Sequence, residues 1–213
     1  MEGQTCSMPW GLKRFHHTRQ SHFVTFSCYH RHRWFTADAN RHVFELALDR
    51  VRRKYRLCVY GYVVMPDHVH LSLSEPERQT LAEALKSLKQ GVARRLLHTS
   101  PLKPKSGLSG PPENVGELKH VWQKRYYDFN IRNYPQFVEK LRYIHRNPVR
   151  AGLCDCPEDW KWSSFLHYAI GSEGLIEIES DWTARKRERA AGRLCPAIEL
   201  PHTCGSEARL RGL

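Results

Sequence analysis

The amino-acid sequence predicts an α+β fold. Three observations carry that expectation. The stretches 22–30, 56–65 and 68–74 have the apolar content and two-residue alternation of strands. The stretches beginning near Asp38, Thr80 and Asn133 repeat their apolar residues every three or four positions, as helices do. With 213 residues, 40% of them hydrophobic, the chain is long enough to bury one substantial core.

The elements follow in order. Residues 1–21 are basic and irregular and read as an extension. In "HFVTFSCYH" the alternation puts Phe23, Thr25 and Ser27 on one face and Val24, Phe26 and Cys28 on the other. Asp38 can cap a helix running to about Arg56, with Phe44, Ala47, Leu48, Val51 and Tyr55 as its apolar stripe. "RLCVYGYVVM" is a second strand and "HVHLSLS" a third. Met65, Pro66 and Asp67 lie between them; proline cannot donate to a sheet ladder, so it marks a tight turn or a strand start.

Thr80 opens the next helix, whose stripe is Leu81, Leu85, Leu88, Val92 and Leu96. Lys86, Lys89 and Arg94 lie off that stripe and give the helix a cationic outer face. Residues 99–117 are rich in Pro, Gly and Ser and read as a mobile loop. "LKHVWQKRYYDF" (118–129) reads as extended, with aromatics among basic residues. In "NYPQFVEKLRYIHRNP", Asn133 can cap a helix, Pro135 suits its first turn, and Pro148 is expected to end it. From about 171 no periodicity is visible. The division is therefore a basic extension (1–21), a main domain (22–170) and a tail (171–213).

Charge narrows the partners. The formal net charge is +12 and the pI about 9.6. Such a field attracts polyanions, of which nucleic acid is the commonest. No run of about 18 apolar residues could span a bilayer, and the first residues do not resemble a signal peptide, so a cytosolic, membrane-free protein is expected. The seven cysteines are scattered and odd in number, which argues against a disulfide framework; Cys154 and Cys156 have no second close pair to complete a zinc site.

The most informative stretch is "VVMPDHVHLS". On a strand, Val69, Leu71 and Leu73 point one way while His68, His70, Ser72 and Ser74 point the other. Two imidazoles on one face sit roughly 7 Å apart at the backbone, close enough to converge on one metal ion. Two ligands do not close a site, so a third must come from elsewhere.

The helix after Asn133 offers one. Phe137, Leu141 and Ile144 form its core stripe. Tyr143 lies on the flank, Asn147 one turn above it, and Lys140 on the same flank. A metal held by His68, His70 and the Asn147 amide oxygen could polarise a phosphodiester, and Tyr143 could attack the phosphorus. The bond energy would be kept in a phosphotyrosine, so rejoining would need no ATP. A phenol needs help at neutral pH, which the metal and Lys140 could give. Imidazole plus amide oxygen suits Mn²⁺ or Mg²⁺.

These residues also carry a resemblance. "MPDHVH" resembles the histidine–hydrophobic–histidine signature of the HUH nucleases. "YIHRNPVRAGL" and "VWQKRYYDFNIRN" resemble further blocks of the REP-associated tyrosine transposases, relatives of the single-tyrosine insertion-sequence transposases. The resemblance runs from about His22 to about Tyr168. It implies a ferredoxin-like HUH domain, an antiparallel sheet with both histidines on a central strand. It also implies metal-dependent cleavage and rejoining of single-stranded DNA that folds as a repetitive hairpin. By position, His68, His70 and Asn147 would be metal ligands and Tyr143 the nucleophile. Tyr126 and Tyr127 compete for that role from an adjacent basic block, but neither has a helical amide partner. Asp67 stands where many members carry Asn.

Single strands are held by cationic grooves and aromatic platforms. Trp122, Lys124, Arg125 and Tyr127 supply one such run, and Arg31, His32, Arg33, Trp34 and Phe35 another. Lys140, Arg146 and Arg150 flank the proposed centre and could hold phosphates, as could Lys86, Lys89 and Arg94. Either a monomer or a homodimer is compatible with this reading. Two other functions fit parts of the pattern: a non-catalytic single-strand-binding module, and a metal-dependent nuclease using activated water.

Overall fold

The computed structural model describes residues 21–99 and 120–191. The expected basic extension and the loop 99–117 fall almost entirely outside the described residues. Strand and helix alternate as β1 (Ser21–Ser27), α1 (Asp38–Tyr55), β2 (Val59–Val64), β3 (His68–Ser74), α2 (Leu81–Thr99) and β4 (Tyr127–Ile131). The strands pair antiparallel in the order β2-β3-β1-β4. This βαββαβ arrangement is ferredoxin-like, and β3 lies inside the sheet. Three helices follow: α3 (Tyr134–Arg150), α4 (Phe165–Ile170) and α5 (Asp181–Ala190).

The alternation read from β1 and β3 sorts the sheet into two faces. Val24, Phe26, Val69, Leu71 and Leu73 pack against Phe44, Leu48 and Val51 of α1 and Leu85, Leu88 and Val92 of α2. Each such side chain stabilises the fold by roughly 1.5–3 kcal/mol on burial. On the other face Phe23, Val63, Met65 and Ile131 pack against Ile144 of α3. The histidine face of β3 is therefore covered: His70 is 3% exposed and Ser72 1%. Gly61 makes the close approach of α3 possible. A Cβ there would lie 2.5 Å from Leu141 Cδ1.

The caps explain the helix starts. The Asn133 side chain accepts from the Gln136 amide, with proline in the first turn of α3. At α2, Thr80 and Glu83 exchange bonds in a capping box. At α1 the cap residue is Ala37 rather than Asp38, which sits inside the first turn and bonds to Arg41 at 2.6 Å.

Two expectations are corrected. Pro148 does not end α3; it lies inside the helix, buried, and the helix runs on to Arg150. A proline costs the bond of its own missing N–H. Here that loss falls in the last turn, and the amides of Ala151 and Leu153 still bond to the Asn147 and Pro148 carbonyls. The segment after 171 is not a featureless tail. Ile176 and Ile178 are buried in the main core, Ile178 bridges Val59 of β2, and α5 follows. Short apolar islands of this kind have too few residues for a period to show.

Candidate active site

The site forms where β3, β1 and the second half of α3 meet. His68 and His70 share a face of β3, with ring centroids 4.8 Å apart. Opposite His70 on β1 is Thr25, whose Oγ1 lies 2.7 Å from His70 Nδ1. Phe23, next on that face, stacks on the His70 ring at 5.6 Å and 17°. The Tyr143 ring meets His70 nearly edge-on at 5.1 Å and Phe23 at 5.8 Å. One turn later, the Asn147 amide lies 3.2 Å from His70 Nε2. Tyr143 is 37% exposed, so the pocket has an open side.

Both imidazoles have Nδ1 occupied. His68 Nδ1 is 2.6 Å from an Asp67 carboxylate oxygen. The carboxyl of Asp67 is held below its usual range: its own burial opposes this, but the bond and charge of His68 and the charge of Arg31 outweigh it. An ionised carboxylate can only accept, so His68 Nδ1 carries a proton and donates it to Asp67. Burial above all, then the nearby charges of His68 and Arg31, holds His70 well below the ordinary histidine range. His70 is therefore neutral, and its Nε2 faces Asn147. Among the described residues no group of three or more His, Cys, Asp or Glu could hold a metal ion. Two imidazoles and a side-chain amide nevertheless make a chemically sound donor set for a divalent ion. Rotating the amide exchanges its N–H for its oxygen.

The sequence-derived cations divide sharply. Lys140 Nζ lies over the Phe129 and Phe23 rings at 4.8 and 5.7 Å, beside the site. The Arg150 guanidinium is 6.0 Å from the Tyr143 ring centroid. Arg146 is exposed on the same helix. Lys124 and Arg125 are exposed just before β4, whose first residue, Tyr127, pairs with Thr25 and packs edge-on to Phe23. Lys86, Lys89 and Arg94 belong to α2, which packs on the opposite face of the sheet, and are not brought to the site.

Two of the residues expected to touch DNA are spoken for. Lys89 donates to the Gln123 carbonyl at 2.6 Å, and burial pushes its ammonium pKa down. Trp122 is 8% exposed, packs on Phe26 and Phe35, and donates its indole N–H to the Lys89 carbonyl. It is a core residue, not a stacking platform, and Trp34 and Phe35 are buried likewise. Tyr143, and neither Tyr126 nor Tyr127, has its ring against His70 among the described contacts. Thr25 and Phe23 were not singled out as site residues, and Arg31 was read only as part of a run that could hold single-stranded DNA. The strand pattern already put Phe23 and Thr25 on one face, but pairing with β3 was needed to bring them to His70.

No described helix is long and apolar enough to cross a membrane. The described cysteines Cys28, Cys58, Cys154 and Cys156 are free, and burial pushes the Cys28 thiol up to about 12.

Comparison with known proteins places the chain in a family and supports the fold. The chain is 26% identical over 146 residues to the REP-associated tyrosine transposase of Escherichia coli (strain K12), spanning 68% of this chain and 74% of that one. A solved REP-associated tyrosine transposase bound to a REP hairpin shares the fold with a TM-score of 0.60 and 20% identity. That match covers 80% of this chain and 92% of the other. The profile described as "Transposase IS200 like" matches residues 16–147. The chain belongs to the IS200-like transposase family, enzymes that act on DNA.

Proposed function

We propose that this chain cleaves and rejoins single-stranded, hairpin-forming DNA through a covalent 5′-phosphotyrosine on Tyr143. The observation that carries the reading is the contact between the Tyr143 ring and His70, with the Asn147 amide on the same imidazole. A phenol with one open side, beside two imidazoles, suits attack on a phosphodiester. The relatives' link to REP DNA supports the choice of substrate.

The balance of the step is simple. A bond forms between Tyr143 Oη and phosphorus as the bond from phosphorus to the 3′-oxygen breaks. The proton lost by the phenol is matched by the one gained on the released 3′-hydroxyl. Reversal rejoins the strand with no external energy source. A divalent ion, Mg²⁺ or Mn²⁺, held by His68, His70 and Asn147, would supply Lewis-acid polarisation of the phosphate. Lys140 and Arg150 add positive charge beside the site, which attracts the DNA backbone. Lys124, Arg125 and Tyr127 flank the approach along β4, and Arg146 extends the cationic rim of α3. Tyr143 works with the histidines of its own chain, since both sit in one pocket of one fold.

A single assay tests this. Single-stranded hairpin DNA is incubated with the protein and Mn²⁺ or Mg²⁺, then run on a denaturing protein gel. A slow-migrating protein–DNA adduct is expected, lost in Tyr143→Phe and kept in Tyr127→Phe. Cleavage without an adduct would indicate a water-activating nuclease instead, and binding with neither would indicate a simple binding module.

A further inference from the structure

We infer that Asp67 is a positioning residue. Its carboxylate fixes the His68 ring with the proton on Nδ1, so that Nε2 is presented to a divalent cation. The inference rests on the reading above only in taking His68 as a metal ligand. A turn residue differing by one atom from an amide looks like a small change in the sequence. The structure gives it a larger one: Asp67 Oδ1 lies 2.6 Å from His68 Nδ1. A charge-assisted bond of that length fixes both tautomer and ring plane, and raises the donor strength of the far nitrogen. A neutral amide oxygen in its place would accept the same hydrogen without the charge.

The surroundings hold that carboxylate in place. Its other oxygen, Oδ2, takes the Arg31 guanidinium at 3.3 Å. Arg31 comes from the loop between β1 and α1, which is stitched to the Asp67 turn at both ends. The Cys28 amide donates to the Asp67 carbonyl at 2.7 Å and the Phe35 amide to the Pro66 carbonyl at 2.9 Å. Between those two bonds, His30 and Arg31 both adopt left-handed backbone, with φ of 49° and 58°. Two consecutive non-glycine residues rarely accept that conformation. Such strain persists where the surroundings over-determine it, and here it turns Arg31 back over Asp67. His70 is fixed in the same sense by a neutral partner, Thr25. His68 thus has the only carboxylate partner of the imidazole pair among the described residues.

The test uses the full chain without metal, and then with Mn²⁺ alone. Long-range ¹⁵N–¹H correlation spectra of the metal-free protein read the His68 tautomer, and Mn²⁺ titration followed by electron paramagnetic resonance reads affinity. Wild type is expected to show the Nδ1–H form. Asp67→Ala should mix in the Nε2–H form and weaken Mn²⁺ binding by about 10- to 100-fold, as loss of such outer partners does. Asp67→Asn should restore the Nδ1–H form while recovering only part of the affinity. If Asp67→Ala does not fold, Asp67→Asn alone decides. Wild-type Mn²⁺ affinity in Asp67→Asn, or an unchanged tautomer together with unchanged affinity in Asp67→Ala, would overturn the inference. Tyr143→Phe should leave both readouts untouched. An adduct surviving in that variant would therefore sink the tyrosine chemistry and leave the Asp67 result standing.

Discussion

Thr25 Oγ1 and His70 Nδ1 lie 2.7 Å apart across the β1–β3 ladder. His70 is 3% exposed. Thr25→Val keeps the shape of the side chain but removes the hydrogen-bond partner. An unsatisfied buried polar group costs about 1–3 kcal/mol. The urea midpoint should fall accordingly. Mn²⁺ affinity should fall with it, because nothing would then hold the proton on Nδ1.

Gly61 sets how closely α3 lies against the sheet. An alanine Cβ at that position would be 2.5 Å from Leu141 Cδ1. Overpacking of this kind costs about 1–3 kcal/mol. Because Tyr143 and Asn147 ride on the same helix, Gly61→Ala should lower adduct yield as well as the thermal midpoint. The double variant Gly61→Ala/Leu141→Ala, which opens space where the clash occurs, should regain adduct yield relative to Gly61→Ala. Failure to do so would mean the helix had not been displaced.

Trp122 separates packing from DNA contact. Buried Trp→Ala changes typically cost about 3–5 kcal/mol. Trp122→Ala should therefore shift the denaturation midpoint strongly, while the folded fraction binds hairpin DNA as wild type does. Tyr127→Ala, at a half-buried position on the edge strand beside the site, should weaken hairpin binding while lowering the midpoint less than Trp122→Ala does. Fluorescence anisotropy alongside urea denaturation reads both.

His22 makes stability depend on pH. It lies on the far face of the sheet, 2.9 Å from Asp128 and 3.6 Å from Glu75. Burial lowers its proton affinity, but the hydrogen bonds and charges of the two carboxylates outweigh that and raise its pKa above 6.5. A group whose folded pKa is raised stabilises the fold fully below its unfolded pKa and loses that contribution as pH passes the folded value. The stability difference between wild type and His22→Gln should thus be largest below about pH 6.5 and shrink as pH rises beyond it. His145, buried and pushed down to about 3, stays neutral in the fold while the unfolded chain gains a proton there, so it destabilises the fold as pH falls below about 6.5; it does so in both proteins and cancels from the difference.

Much of this fold was legible from periodicity. The alternation at Phe23–Cys28 and His68–Ser74 named the two faces, and Asn133 with Pro135 marked the start of α3. The pairing of His68, His70, Tyr143 and Asn147 followed from strand and helix geometry joined to the family resemblance. Pro148 misled because the rule against proline concerns helix interiors, and the last turn has little left to lose. Trp122 and Lys89 misled because composition cannot tell a cation beside an aromatic ring in solvent from one laid over Phe26 in the core. The Arg31–Asp67–His68 chain was hidden for another reason. It depends on a left-handed turn at two residues with no glycine to announce it.

The distance along the chain between imidazole and phenol has a practical consequence. Residues 70 and 143 belong to elements that touch only once the sheet has closed and α3 has docked on it. One folded copy then carries all four side chains proposed for the centre. Under the proposed reading, mixing a copy that lacks the phenol with a copy that lacks the imidazoles would not restore activity: each broken molecule stays broken, whatever its neighbour supplies.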